Sequence, residues 1–83
     1  MSEELKNLKA EKVIDARGTA CPGPLLEAKR GMAAVSMGGL MEVLSTEVGT
    51  TEDIPLWSKK VGHEYLGHFE EDGNYHIFVK RGK

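Results

Sequence analysis

The apolar positions of this chain change period four times, and each change predicts an element. Lys12 to Ala16 is a short run centred on the β-branched pair Val13-Ile14 and predicts a first strand. From about Pro22 to Val35 or Ser36 the spacing becomes helical. Leu25, Ala28, Met32 and Val35 form one stripe, widened by Leu26 and Ala33, with Glu27, Lys29 and Arg30 mostly off it. Gly31 interrupts this helix at a cost of ~1 kcal/mol relative to alanine, and the pattern supplies no reason for it. Ser36-Met37-Gly38-Gly39 ends the helix and turns the chain. Leu40 to Thr46 is a second strand, apolar enough to be central. Strand, helix and strand at this spacing predict a parallel pair with a right-handed crossover.

Glu47 to Thr51 reads as a loop. A second helix follows, with Thr51 or Asp53 as its cap and Pro55 in its first turn. Ile54, Trp57 and Val61 make its buried face, and Gly62 ends it. Glu64 to Glu71 and Asn74 to Lys80 are the third and fourth strands. Asp72-Gly73 between them predicts a two-residue hairpin turn in which both positions take positive φ. That turn sets Glu70 opposite Tyr75 and Phe69 opposite His76. Leu66, Ile77 and Val79 then share the face under the helices, and Tyr65, Phe69 and Phe78 share an uncovered one. The order is βαβαββ, a single α+β domain over residues 12–83. Residues 1–11 are charged, with Leu5 and Leu8 as their apolar anchors, and read as a poorly ordered segment or a short helix without assigned function.

Composition narrows the function classes. Eighty-three residues leave no room for a separate catalytic domain or a large cofactor cleft. A net charge of -2 argues against a general nucleic-acid binder, and no direct nucleic-acid contact is expected. No apolar run is long enough to span a membrane, and nothing resembles a signal peptide. The single cysteine excludes an internal disulfide, a Cys-x-x-Cys redox pair and a multi-cysteine zinc site. A reducing, cytoplasmic setting is the expectation, with the chain a monomer. No metal or cofactor is expected: the hairpin register turns His68 and His76 to opposite faces, and His63 suits a cationic role at the end of the second helix. Asp53 reads as a cap rather than a catalytic acid. There is no Ser-His-Asp set, P-loop or Rossmann glycine pattern.

The chemistry therefore rests on Cys21. It lies between the first strand and the first helix, followed by Pro22, Gly23 and Pro24. Pro22 suits the first helical position and Pro24 the third, where a missing N–H costs nothing. The residue before a proline is steered away from helical ψ, so Cys21 is expected beside the helix N-terminus. That end favours an anion by ~0.3–1 kcal/mol when exposed, hence a thiolate or a persulfide over its acid. Gly18, Ala20 and Gly23 are small and leave access. Arg17 is the nearest charge in sequence, although a solvated arginine is an equal reading. Lys29 and Arg30, two turns away, are candidates for contact with an acidic partner surface.

Asp15-Ala16-Arg17-Gly18, Cys21-Pro22-Gly23-Pro24 and Lys29-Arg30 resemble the TusA/SirA-like sulfur-carrier family, whose signature is Cys-Pro-x-Pro opening the first helix. The likeness continues through Leu40-Met41-Glu42-Val43, Thr46-Glu47, Thr51-Glu52-Asp53-Ile54-Pro55-Leu56-Trp57 and Gly62-His63-Glu64. It implies a two-layer α/β sandwich, a four-stranded mixed sheet with two helices on one face. It also implies a carrier without independent turnover. Cys21 would hold sulfane sulfur as a persulfide, taken from a cysteine desulfurase or rhodanese-like donor. The acceptor would be a protein of tRNA thiolation, molybdenum-cofactor sulfuration or sulfur oxidation. Thr19 stands where the family often has leucine, and Glu47-Val48 where it often has aspartate and proline, so Glu47 joins the partner-contact candidates. A thiol redox sensor, a regulatory interaction module and an RNA binder using the open sheet face are the alternative readings.

Overall fold

The structure, a computed structural model, describes residues 9–20 and 23–83. The elements are β1 (Lys12–Asp15), α1 (Gly23–Met32), β2 (Leu40–Ser45), α2 (Thr50–Val61), β3 (Glu64–Glu71) and β4 (Asn74–Lys80). They form one four-stranded sheet in the order β1-β2-β4-β3. β1 and β2 run parallel, and β4 is antiparallel to both β2 and β3. Both helices lie on one face. Ala28 and Met32 of α1 and Ile54 of α2 close over Ile14, Met41, Val43, Ile77 and Val79, with Leu25 and Trp57 packed at the margin. The expected βαβαββ two-layer architecture is thus the observed one.

Alternation along the strands explains which residues enter this core. Met41 and Val43 face the helices, and Glu42 between them faces away. α1 packs so closely on β1 that a side chain at position 31 would have to displace Ile14. A Cβ there would lie 2.2 Å from Ile14 Cδ1 and 2.7 Å from Cγ1. The helix-propensity cost of Gly31 therefore secures a close approach to the sheet. Regular helix ends at Met32, earlier than the sequence pattern predicts. Ala33, Ala34 and Val35 then donate to the carbonyls three residues back, tightening the chain into a turn that still buries Val35. The expected widening of the stripe does not occur: Leu26 is 49% exposed, and Ala33 is exposed too.

The β3–β4 hairpin has the expected turn and pairing. Asp72 and Gly73 have φ of 54° and 78°, Glu70 pairs with Tyr75, and Phe69 with His76. Further along, a bulge between Tyr65 and Gly67 shifts the register by one residue, with Gly67 at φ 138°. Tyr65 therefore pairs with Val79 and packs against the core, displacing Leu66 from the role the alternation predicted. His68 and His76 do face opposite ways. The far face is not bare either. Phe69 and Phe78 stack with centroids 5.9 Å apart and are 8% and 2% exposed. Phe69 also stacks on His76, whose Nδ1 lies 2.7 Å from Glu42 Oε2.

α2 departs from the expected capping and burial. Its cap is Gly49, with no side-chain hydrogen bond, rather than Thr51 or Asp53. A hydroxyl cluster from the preceding strand takes over the anchoring. Ser45 Oγ lies 2.8 Å from Thr50 Oγ1 and accepts the Glu47 N–H at 3.0 Å, with Ser45 and Thr50 both buried. Ser58, not Val61, shares the inward face with Ile54, because i to i+4 spacing brings it there, and Val61 is 39% exposed. Gly62 closes the helix in the left-handed conformation at φ 91°, as expected.

Candidate functional site

Parallel pairing puts the carboxyl ends of β1 and β2 at one edge of the sheet, and α1 and α2 both start from that edge. The connection after β1 is held to the connection after β2. Ala16 N–H donates to the Leu44 carbonyl at 2.9 Å, and Gly18 N–H to Thr46 Oγ1 at 3.1 Å. Gly18 turns the chain at φ 79°. Thr19 N–H donates to the Ala16 carbonyl at 3.3 Å. Cys21 and Pro22 lie outside the described residues. The residues flanking them, Ala20 and Gly23, are joined by a hydrogen bond from the Gly23 N–H to the Ala20 carbonyl at 2.7 Å.

Beyond them Pro24 is fully buried and fixes the start of α1 against the domain. The first turn of α1 carries no acidic residue, whereas that of α2 carries Glu52 and Asp53. The positive end of α1 is therefore the one left without a carboxylate of its own first turn. The space beside Gly23 is not open, as its lack of a side chain suggested. Thr19 Cγ2 occupies it, 2.0 Å from where a Cβ would stand.

Arg17 is engaged by Asp15. Its Nε and Nη2 donate to the two carboxylate oxygens at 2.9 and 2.8 Å, and its backbone N–H donates to Oδ1 at 3.2 Å. The side-chain and backbone hydrogen bonds from Arg17 hold the Asp15 carboxyl down to about 2, from an ordinary 3.8. Glu47 is exposed on the loop pinned by Ser45, at the same edge as Gly18. Lys29 and Arg30, adjacent in sequence, part ways in space. Arg30 pairs with Glu27 at 3.5 Å and faces the β1 side. Lys29 lines a groove with Trp57 on the α2 side.

Ser45, Thr46 and Thr50 escaped the sequence reading although they hold this edge together. The available signal was the pair of hydroxyl residues ending an otherwise apolar strand, a common way to satisfy backbone N–H groups at a loop. His63 also differs from expectation. Burial first, and the Arg81 charge second, push its pKa down. Its Nδ1 accepts the Gly82 N–H at 3.0 Å, so the neutral ring is the one that fits. Among the described residues no three or more His, Cys, Asp or Glu side chains cluster as a metal site would require. None of the described helices is long and apolar enough to cross a membrane.

Residues 12–81 match the family model described as Sulfurtransferase TusA. The chain belongs to the TusA family. A protein of Archaeoglobus fulgidus, named provisionally as a sulfur carrier, is 44% identical over 71 residues, covering 86% of this chain and 97% of its own. The sulfur carrier protein TusA of Allochromatium vinosum is 35% identical over 68 residues, covering 82% and 90%. A crystal structure of a SirA-like protein from Desulfitobacterium hafniense superposes with a TM-score of 0.75 at 24% identity, over 87% of this chain and 99% of that one. This TusA-family chain shares that protein's fold.

Proposed function

We propose that this chain is a sulfur carrier in which Cys21 holds sulfane sulfur as a persulfide, with residues 12–83 as the carrier domain. The Cys21 thiolate attacks the terminal sulfur of a persulfide on a cysteine desulfurase or rhodanese-like donor. The donor's S–S bond breaks, its cysteine leaves as thiolate, and the new S–S bond stands on Cys21. Delivery to the acceptor repeats the exchange in reverse, with no net oxidation and no cofactor. The acceptor is a protein of tRNA thiolation, molybdenum-cofactor sulfuration or sulfur oxidation, met in transient complexes in the cytoplasm. Pro22, Gly23 and Pro24 shape the approach, Arg17 and Gly18 hold the loop, and Glu47 flanks it toward partners.

The observation that carries this reading is the setting of the chain's only cysteine. It stands in sequence just before a buried Pro24 and a helix whose first turn holds no carboxylate. Such an end favours a sulfur anion. The relatives named as sulfur carriers support the role. Intact mass after incubation with a cysteine desulfurase and cysteine tests it. One added sulfur atom, released by reductant and missing from Cys21→Ser, is the expected result. No gain from that donor or from thiosulfate with a rhodanese would overturn the proposal and favour a redox-sensor or interaction role.

A further inference from the structure

At the opposite end of the helices from the strand-end edge lies a groove of about 510 Å3. Its walls are the last turns of α1 and α2 and the residues following β4. Lys29, Lys60, Arg81 and Lys83 stand around it, over a floor that includes Met32 and the half-buried indole of Trp57. No aspartate or glutamate lines it, although acids outnumber bases by two in the whole chain. Among the described residues none of these four cations joins an ion pair.

The tail that supplies two of them is fixed in place. Gly82 donates to His63, and a side chain at Gly82 would meet the Gly62 carbonyl oxygen at 2.1 Å. Arg81 directs its Nε to the Lys83 carbonyl and its Nη1 to the Val35 carbonyl. Its charge faces the groove while much of its donor fork is spent on backbone. Half-charges at the helix ends account for a cation at each of α1 and α2. They do not account for the added pair on the tail, or for the half-buried indole of Trp57 between them.

We propose that this groove docks an acidic segment of a protein partner, with one apolar side chain of that segment seated over Trp57. The proposal rests on the carrier reading only in taking that partner to be one that exchanges sulfur at Cys21. Lysines on flexible stems suit a spread of carboxylates. A single phosphate held in fixed geometry would need a free guanidinium fork, which Arg81 lacks. The apolar floor suits a side chain that an all-polar anion does not have. The groove lies at the C-terminal end of α1, away from its N-terminus, so one partner can hold the domain here while its reactive sulfur meets the other end.

Trp57 is the only tryptophan, so its fluorescence reports occupancy directly. The full chain would be titrated with a short peptide of Asp and Glu around one leucine, and with its Asn/Gln counterpart. The acidic peptide is expected to shift Trp57 emission saturably and to weaken as salt rises. Lys60→Glu should weaken it roughly tenfold or more, Lys60→Gln less, and Lys12→Glu, outside the groove, not at all. Circular dichroism would verify that each variant is folded. Equal binding of the neutral peptide, or no loss in folded Lys60→Glu and Lys60→Gln, would overturn the proposal. So would saturable, competing binding of inorganic diphosphate or of RNA at the same salt, which would make the groove a phosphate site. Sulfur loading is measured separately, from inorganic polysulfide without any partner. Loading that fails while the peptide binds sinks the carrier reading alone; loading that succeeds while the peptide does not bind sinks the groove alone.

Discussion

Two side chains at the carboxyl end of β1 set the local electrostatics there in a way that titration can read. Arg17 makes two side-chain contacts and one backbone contact with Asp15, and the carboxyl is held down to about 2. A depressed carboxyl contributes its stabilisation above the ordinary value of 3.8 and loses it as pH falls toward 2. A carbon-13 NMR titration of Asp15 should therefore show a midpoint near 2, returning toward 3.8 in Arg17→Ala. The midpoint staying low in that variant would mean that Arg17 is not the cause. Gly31 gives a second test at this scale. Gly31→Ala gains helix propensity but drives a methyl into Ile14, so net destabilisation of about 1 kcal/mol is expected. In an Ile14→Val background, where Cδ1 is gone, the same substitution should cost less. Equal costs in chemical denaturation would place the strain elsewhere. None of this was legible from residue types: a tight approach of α1 to β1 and a two-residue salt bridge both depend on where the backbone goes.

Elements were more legible than their ends. The hairpin turn, the helical stripe through Ala28 and Met32 and the central character of β2 all follow from periodicity and turn chemistry. Strand alternation failed at Leu66 because a bulge adds a residue without leaving a mark in the apolar pattern. The start of α2 was misread for a related reason. Thr51 and Asp53 look like caps, but Ser45 and Thr50 form the buried contact that secures the turn. Ser45→Ala would leave Thr50 Oγ1 buried without its partner and the Glu47 N–H without its acceptor. A loss of about 1–3 kcal/mol is expected, with Ser45→Thr or Ser45→Cys tolerated only as far as the site admits the extra volume. Urea unfolding curves for Ser45→Ala within a few tenths of wild type would show the cluster to be incidental.

At the scale of the molecule, the two ends of the helix layer differ in character. The strand-end edge brings together the loops that follow β1 and β2, and the other end gathers cations around Trp57. His63 belongs to the second end and makes it sensitive to acid. Its pKa is lowered on folding, so the unfolded chain binds the proton more readily. Its contribution to stability is level above pH 6.5, the ordinary histidine value, and falls as pH drops below it. His63→Asn, which keeps an oxygen acceptor for the Gly82 N–H, should flatten part of that acid-side loss in denaturant midpoints compared between pH 7.5 and 5.5. An unchanged slope would assign the loss to other groups. This sensitivity was hidden in the sequence, where position 63 suggested a cation at a helix end, because the tail that crosses it folds back from the far end of the chain.

The sheet order β1-β2-β4-β3 also fixes when this protein can exist during its own synthesis. The last strand made is an inner one, and both β2 and β3 hydrogen-bond to it. Until Asn74 to Lys80 has left the ribosome, the first helix and its neighbours have no completed sheet to cover. Cys21 precedes that strand by some fifty residues in the sequence, so its thiol is synthesised well before the sheet on which α1 packs can be completed.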